Sequence, residues 1–298
     1  MGRLKRLAIF YFSGTGNTQL LAEQYAASFR HLDVAVDLIK IEDYTRTRTS
    51  PEINGYDAVG LGYPIHAFNA PRIVYEFINL LPPGAGRFAF IFKSPGDPFA
   101  NGGSTLPVRR RLMAKQYEVV HESMLVMPAN FLQKLSPELS RVLYDVACRR
   151  IAIFTGEILK GVRRLQQNRP SERIYTTLSW FEQLGIRLLR LLYYVRPSCT
   201  GCGLCAERCP TANIEMSKGR PNFGWRCLCC LRCVYLCPVG AIGIRGCDAL
   251  LFKDGYNIRR IINDVRNIPV NIEELKGCNR RLLAYVKQSN SIHKLCRP

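Results

Sequence analysis

The sequence predicts an α/β protein in which a doubly wound parallel sheet is followed by a small α+β domain. Over residues 1 to 168, short apolar runs rich in β-branched and aromatic residues alternate with segments of helical periodicity. That alternation is typical of a parallel sheet covered by helices. Over residues 198 to 247, closely spaced cysteines form two similar runs, which indicates the two halves of a small pseudo-symmetric domain.

Five strands and four helices are expected in the first domain. The apolar runs predict strands at Leu7–Phe12, Val34–Lys40, Ala58–Gly62, Phe88–Lys93 and Val119–Met127. The helical periodicity predicts helices at Asn17–Phe29, Pro71–Leu80, Leu106–Lys115 and Pro137–Leu165. Five parallel strands suit the order 2-1-3-4-5 of one common doubly wound sheet.

Composition and length favour a folded protein without a membrane span. The chain has 298 residues, of which 47% are hydrophobic, enough for one large or two ordinary domains. The most apolar stretch, Leu184 to Val195, is short and contains Arg187 and Arg190. The basic and apolar N-terminus runs into a glycine loop without a small-residue cleavage site, so we interpret it as a first strand and expect a cytoplasmic protein.

The cysteines point to metal chemistry. Nine of the thirteen lie between Cys199 and Cys237, a density that favours metal ligation under reducing conditions, such as those of an anaerobic host. Two runs share the spacing Cys-x2-Cys-x2-Cys-x3-Cys-Pro, namely Cys199, Cys202, Cys205, Cys209 with Pro210 and Cys227, Cys230, Cys233, Cys237 with Pro238. This is the spacing of bacterial domains that hold two [4Fe–4S] clusters.

Ligation is expected to cross between the two runs. The proline after each fourth cysteine prevents helix continuation and turns that cysteine toward the other cluster. We therefore assign Cys199, Cys202, Cys205 and Cys237 to one cluster and Cys227, Cys230, Cys233 and Cys209 to the other. A pair of structural zinc sites is the alternative, although zinc ribbons use separated cysteine pairs. The spacing gives no role to Cys148, Cys229, Cys247, Cys278 and Cys296.

A second motif, Ser13-Gly14-Thr15-Gly16-Asn17-Thr18, lies between the first predicted strand and the first predicted helix. An α/β sheet binds phosphate at this place, because glycines let the backbone curl around the ligand while N–H groups and hydroxyls point inward. A P-loop would need Gly-Lys-Ser/Thr, and a dinucleotide fingerprint would need a third glycine where Gln19 stands. A generic Ser/Thr-Gly turn is the remaining alternative.

The loop resembles that of flavodoxins, and its union with a two-cluster domain resembles the flavodoxin–ferredoxin fusion proteins of anaerobic bacteria and archaea. Further similar stretches are GYPIHAFNAPR at 62–72, KSPGDPFANGGST at 93–105 and MPANF at 127–131, so the resemblance covers about residues 5 to 247. It implies a flavodoxin-like domain over 1–168 that binds FMN and a ferredoxin-like domain over 198–247 that binds two [4Fe–4S] clusters. Between them, 169–197 is a linker with an amphipathic helix, and 248–298 is a C-terminal extension with apolar residues at helical spacing.

The resemblance also implies which residues flank the isoalloxazine ring. One wall is formed after the third strand by Tyr63, Pro64, Ile65, His66, Ala67 and Phe68, and the other after the fourth by Ser94, Pro95, Gly96 and Asp97. An aromatic side chain can stack on the ring, and Gly96 is the candidate for a peptide that approaches flavin N5. The alternatives are an ordinary surface role for His66 and packing of Tyr63 or Phe68 against the sheet.

Electron transfer is the function that both motifs share, because a flavin exchanges one or two electrons and each cluster exchanges one. The first hypothesis is a carrier or reductase component. The second is an FMN-dependent oxidoreductase acting on a quinone, a nitro compound or a porphyrin precursor, with the clusters feeding the flavin. The third is a basic nucleic-acid-binding protein with structural clusters, which charge alone supports, so no nucleic acid is expected.

The net charge of +19 is regional. Residues 1–60 balance 7 Lys and Arg against 7 Asp and Glu, whereas residues 101–200 carry 16 against 7 and residues 248–298 carry 10 against 5. Opposite fields speed encounter, so the expected partner is a redox protein such as an acidic ferredoxin or a reductase. The amphipathic segment Phe181–Val195 leaves peripheral membrane contact open beside interdomain packing. The sequence does not decide the oligomeric state.

Overall fold

The computed structural model describes residues 4–99, 101–167, 174–175, 177–179, 185, 188–265 and 280–295. A five-stranded parallel sheet forms the first domain, in the order β2-β1-β3-β4-β5, which confirms the predicted order. Its strands are β1 (Arg6–Tyr11), β2 (Ala35–Lys40), β3 (Ala58–Pro64), β4 (Phe88–Ser94) and β5 (Glu118–Met124). The central strands are buried on both faces, as expected for a parallel sheet covered by helices.

Helices cover both faces of this sheet. They are α1 (Asn17–Arg30), α2 (Ile41–Thr47), α3 (Arg72–Leu80), α4 (Leu106–Ala114) and α5 (Pro137–Leu159). Helices α1 and α5 share one apolar core with the sheet, and α3 and α4 share the other. The sequence analysis missed α2, whose seven residues are too few for a clear helical period.

Helix α5 ends six residues earlier than predicted. Gly161 has a φ of 71°, and its N–H bonds the carbonyl of Ile158 while the N–H of Val162 bonds that of Glu157. This pair of bonds is a Schellman motif, which stops a helix at a left-handed glycine. The chain then runs beside β5, where Arg164 pairs with His121, so the prediction of helix up to Leu165 is wrong.

The small domain holds two antiparallel pairs, β6 (Tyr193–Val195) with β9 (Ile242–Ile244) and β7 (Ile214–Ser217) with β8 (Arg220–Phe223). Two short helices, α6 (Leu204–Glu207) and α7 (Arg232–Leu236), lie within the first and the second cysteine run. Most of the predicted linker helix lies outside the described residues. Its last three residues form β6 instead, because this aromatic and β-branched triplet can pair with β9.

The C-terminal extension packs back onto the first domain. After α8 (Ile258–Asp264) comes α9 (Arg280–Leu295). Ile258 and Ile262 lie in the core that α1 and α5 share with the sheet, and Tyr285 packs against α5. Within the described part of the chain, we find no helix with both the length and the apolarity required to span a bilayer.

Candidate functional site

The glycine loop links the end of β1 to the start of α1 at the carboxyl edge of the sheet. Gly16 is the residue before the helix, with a φ of 106°, and no side chain caps the helix. The first helical N–H groups, from Asn17 to Gln19, have no carbonyl one turn earlier to bind. Together with the helix dipole they form an anion site at the loop. A cleft of about 710 Å³ opens beside Ser13, Thr15 and Gly16.

Neighbouring loops hold the hydroxyl groups of this loop in place. Thr18 Oγ1 lies 2.6 Å from Ser94 Oγ, where either atom can donate, and Thr15 Oγ1 accepts from Asn130 Nδ2 at 2.8 Å. Ser13 Oγ accepts from the N–H of Gly16 at 3.1 Å. When Ser94 donates to Thr18, the Thr18 hydroxyl is free to donate to a phosphate oxygen, so the arrangement fits a bound phosphate group.

Some residues at the end of β3 and in the loop after it pack in the core of the sheet domain, and others contact the small domain. Tyr63 is fully buried in the core that α3 and α4 share with the sheet, which is the packing alternative raised for it. Ile65 packs at the edge of that core, and His66 Nδ1 lies 3.1 Å from the carbonyl oxygen of Leu228 in the small domain. Ala67 and Phe68 have φ values of 48° and 56°, in a tight turn closed by His66 and Asn69.

The loop after β4 faces a different set of groups. Gly96 packs tightly, because a β-carbon added there would lie 3.0 Å from Ala129 Cβ. The Asp97 carboxylate accepts from the N–H of Phe99, and the Pro95 carbonyl accepts from the N–H of Met127. Pro64 is the last residue of β3, and Pro95 follows the last residue of β4. The two loops follow neighbouring strands at the carboxyl edge of the sheet.

An aromatic residue of the linker lies between these two loops. The ring of Tyr175 is 5.4 Å from that of Phe68 and 5.8 Å from that of Phe99, measured between centroids. Sequence reasoning missed Tyr175, since nothing in the surrounding residues marks it. Its ring thus bridges the two loops.

His66 is a neutral imidazole in this structure. Burial lowers the pKa of His66 to about 4, so Nδ1 can donate to the Leu228 carbonyl at neutral pH only in the tautomer that carries its proton there. Because the folded-state pKa lies below the ordinary value of 6.5, the unfolded chain binds the proton first. His66 therefore contributes stability that is complete above about pH 6.5 and is lost as the pH falls toward 4.

We expect His66 to titrate near pH 4 in an NMR titration of the four imidazoles, with its resonance identified by loss in His66→Gln. Across pH 6.5 to 4, the wild type should lose more unfolding free energy than His66→Gln. A His66 resonance that titrates near 6.5 would contradict its burial at the interface.

The eight predicted ligands line two separate cavities. Cys199, Cys202, Cys205 and Cys237 line one, which we call the first-run cavity. Cys209, Cys227, Cys230 and Cys233 line the other, the second-run cavity. The fold thus groups the cysteines in the crossed sets expected from their spacing. Among the described residues, no group of three or more His, Cys, Asp and Glu side chains is arranged to hold a metal ion, so the cysteines surround a space rather than converge on one point.

The chemistry of these donors fits a bound cluster. The N–H of Asn213 donates to Cys209 Sγ and that of Ala241 to Cys237 Sγ, both at 3.2 Å and both four residues after the cysteine. Burial raises the pKa of the Cys230 thiol to about 12 and that of Cys233 well above its usual range. Such thiols are protonated at neutral pH, and a bound metal supplies the charge that holds thiolates.

A partly buried arginine joins the small domain to the glycine loop. Arg232 donates to the carbonyl oxygens of Ser13 at 2.6 Å and Gly14 at 3.2 Å. It also forms a bidentate ion pair with Glu42, in which both N···O distances are 2.8 Å. The side chains are 14% and 11% exposed. A β-carbon on Gly14 would lie 2.6 Å from the Cys230 carbonyl oxygen, so the two domains touch there.

Many of the basic residues are already engaged. Arg109 pairs with Glu122, Arg163 with Glu118, Arg164 with Glu157, and Arg259 with Glu23. The guanidinium groups of Arg111, Arg150 and Arg281 lie over the rings of Tyr75, Tyr285 and Phe99. These contacts lower the number of basic side chains that are free to meet a partner.

Comparison with known proteins bears on the small domain. Residues 191–238 match the family model of a 4Fe-4S dicluster domain. The match contains all eight cysteines that line the two cavities. The match begins within the predicted linker and includes β6. This agrees with the structure, in which β6 pairs with β9 and so belongs to the small domain. The small domain is therefore ferredoxin-like, and the sheet order makes the first domain flavodoxin-like.

Solved structures similar to this chain include three flavodoxins. A flavodoxin from the domain Archaea is 16% identical, with 52% of this chain and 99% of that chain covered and a TM-score of 0.34. Flavodoxin 2 from Bacillus cereus is 21% identical, with 51% and 99% covered and a TM-score of 0.39. Megasphaera elsdenii flavodoxin is 24% identical, with 40% and 85% covered and a TM-score of 0.35. No curated protein matches this chain in sequence.

Proposed function

We propose that this chain holds one FMN and two [4Fe–4S] clusters and relays electrons between them and a redox partner protein. The observation that carries the proposal is the direct contact between the two candidate sites. The carbonyl of the cavity-lining residue Cys230 touches Gly14 of the phosphate loop, and Arg232 bonds that loop from the next turn. A flavin at the loop would lie beside an iron–sulfur cluster, the arrangement that electron transfer requires.

The residues of the loop have distinct tasks in this proposal. The N–H groups of Asn17, Thr18 and Gln19 donate to the phosphate, and the Thr15 and Thr18 hydroxyls add donors. Asn17 is held in place because its side-chain amide donates to the Pro128 carbonyl and accepts from the Tyr256 hydroxyl. FMN supplies a centre that accepts one or two electrons.

The region between the loops after β3 and β4 is the proposed place of the isoalloxazine ring. Phe68 and Phe99 stand on its two sides, and Gly96 is the residue whose peptide is proposed to approach flavin N5. Tyr175 contacts both phenylalanines. A substrate that stacks on the flavin would have to displace Tyr175, which favours a protein partner over the small-molecule oxidoreductase considered from the sequence.

We further propose that the partner is acidic, since the chain carries a net charge of +19. The rate of electron transfer to an acidic ferredoxin, measured by anaerobic stopped flow, should fall steeply as salt rises past about 0.1 M, where the screening length is about 10 Å. Menadione and a nitro compound are the small-molecule controls. A rate independent of salt, with rapid turnover of either small molecule, would instead support the oxidoreductase.

A further inference from the structure

We infer that the two clusters occupy ordered positions on one electron path, with the second-run cluster against the flavin and the first-run cluster facing the partner. The inference rests on the proposed function, because it presumes that both clusters and the flavin are bound. It adds the order of the centres, which the cysteine spacing leaves open.

The backbone around the second-run cysteines packs against loops that are proposed to hold the flavin. Leu228, between Cys227 and Cys230, is buried in the same core as Phe12 and Ile65 of the sheet domain. Its carbonyl oxygen faces His66 Nδ1, and the carbonyl oxygen of Cys230 faces Gly14. Two of the three loops proposed to hold the flavin, the glycine loop and the loop after β3, are thus contacted by the segment that carries the second-run ligands.

Arg232 couples the second-run cavity to the phosphate loop. It lines that cavity and also bonds the carbonyls of Ser13 and Gly14. A buried cation beside a cluster stabilises the reduced form, which carries one more negative charge, and so raises the reduction potential. Glu42 opposes this effect through its ion pair with the same guanidinium. The ion pair of Arg232 and Glu42 therefore sets the net charge between the second-run cluster and the flavin.

Several residues that line the first-run cavity are exposed to solvent, and one other, Leu204, also lines the cleft beside the glycine loop. Residues of the small domain alone line the first-run cavity in the described chain, and one of its ligands, Cys202, is exposed. Met216 and Val239 also line it, with exposures of 37% and 44%. A partner that docks on these apolar side chains would approach the first-run cluster directly.

Two basic residues flank this apolar patch. Lys218 in the turn between β7 and β8 and Arg220 at the start of β8 are both exposed, and Arg220 donates to the carbonyl oxygen of Arg196. Glu215 is the exposed acid on the same hairpin. Two cations beside one acid fit an acidic redox protein with an apolar centre, in keeping with the depletion of charge at interface centres.

The electron count is balanced along this path. A reduced one-electron partner is oxidised as the first-run cluster is reduced, and that cluster then reduces the second-run cluster. Two such electrons, together with two protons from solvent, complete the reduction of FMN. The reverse sequence delivers electrons from FMN to an oxidised partner.

Four variants test the order: Arg232→Gln, Arg232→Lys, Glu42→Gln and the double variant Lys218→Gln with Arg220→Gln. Anaerobic redox titration followed by EPR should show that Arg232→Gln makes the second-run cluster about tenfold harder to reduce. This corresponds to a fall of about 59 mV in the reduction potential of a one-electron couple. Glu42→Gln should shift the same cluster in the opposite direction, and Arg232→Lys should stay close to wild type. A purely structural role of the ion pair would not give shifts of opposite sign.

The double variant should leave both potentials unchanged and slow electron uptake from a reduced acidic ferredoxin by roughly tenfold at low salt. The order of centres is overturned if Arg232→Gln changes neither cluster potential, or if the double variant leaves the uptake rate unchanged. Iron and FMN contents of the wild type are measured first. Absence of iron or FMN from the wild type would contradict the proposed function. If iron and FMN are both present in full but the variants do not have the expected effects, only the inference is contradicted.

Discussion

Replacing Cys237 with Ala should remove about four of the eight iron atoms expected per chain and leave the second-run cluster in place. Cys237 belongs to the second run in sequence, yet it lines the first-run cavity with Cys199, Cys202 and Cys205. Its backbone neighbourhood is prepared for this role, because the N–H of Ala241 donates to its sulfur. A cluster with one missing ligand is lost or strongly weakened.

Pairs of substitutions decide the assignment by iron content alone. With crossed ligation, Cys199→Ala combined with Cys237→Ala costs no more iron than either change alone, because both residues serve one cluster. Cys227→Ala combined with Cys237→Ala should remove nearly all the iron. The reversed pattern would show that each run holds its own cluster.

Cys229→Ala is the matched control for these variants. Cys229 lies beside Cys230 in the second run but lines neither cavity, and it packs in the apolar core of the small domain. The full iron content is expected to persist in this variant. Loss of a cluster would mean that Cys229 is a ligand.

Gly14→Ala should destabilise the contact between the two domains by about 1–3 kcal/mol, the usual cost of overpacking a tight site. The added methyl group would lie 2.6 Å from the Cys230 carbonyl oxygen, a backbone atom that has no alternative rotamer. Denaturant unfolding and FMN dissociation are the measurements. We expect weaker FMN retention as well, because the phosphate loop must move to relieve the contact.

Gly156→Ala provides the comparison. Gly156 lies in helix α5, and a β-carbon there would meet nothing within 4 Å. Alanine should stabilise the helix by about 0.5–1 kcal/mol because it has less freedom to lose on folding. Equal effects of the two substitutions would contradict the close approach of Cys230 to the loop.

Local patterns predicted much of the architecture. Alternating apolar runs and helices gave the sheet order, because parallel strands buried on both faces must be apolar along their length. Cysteine spacing gave the grouping around two cavities, because a proline fixes where the fourth thiol points. The predicted end of α5 was wrong because local hydrogen bonds, those of the Schellman motif, decide where that helix stops.

Long-range contacts could not be read from the sequence. Arg232 and Glu42 are 190 residues apart, and neither stands in a motif that would pair them. His66 faces Leu228, 162 residues away, so its interface role follows only from the packing of the two domains. The resemblance to flavodoxins implied that Tyr63 flanks the flavin ring, and alternation along β3 places its side chain in the core that α3 and α4 share with the sheet.

Cofactor analysis of the anaerobically purified protein tests the central claim most directly. Flavin released by denaturation is identified and quantified by chromatography, while iron, zinc and acid-labile sulfide are determined on the same sample. The account predicts about one FMN, eight iron atoms and eight sulfides per chain. A folded protein that holds zinc in place of iron, or that binds no FMN when the flavin is added, would contradict it.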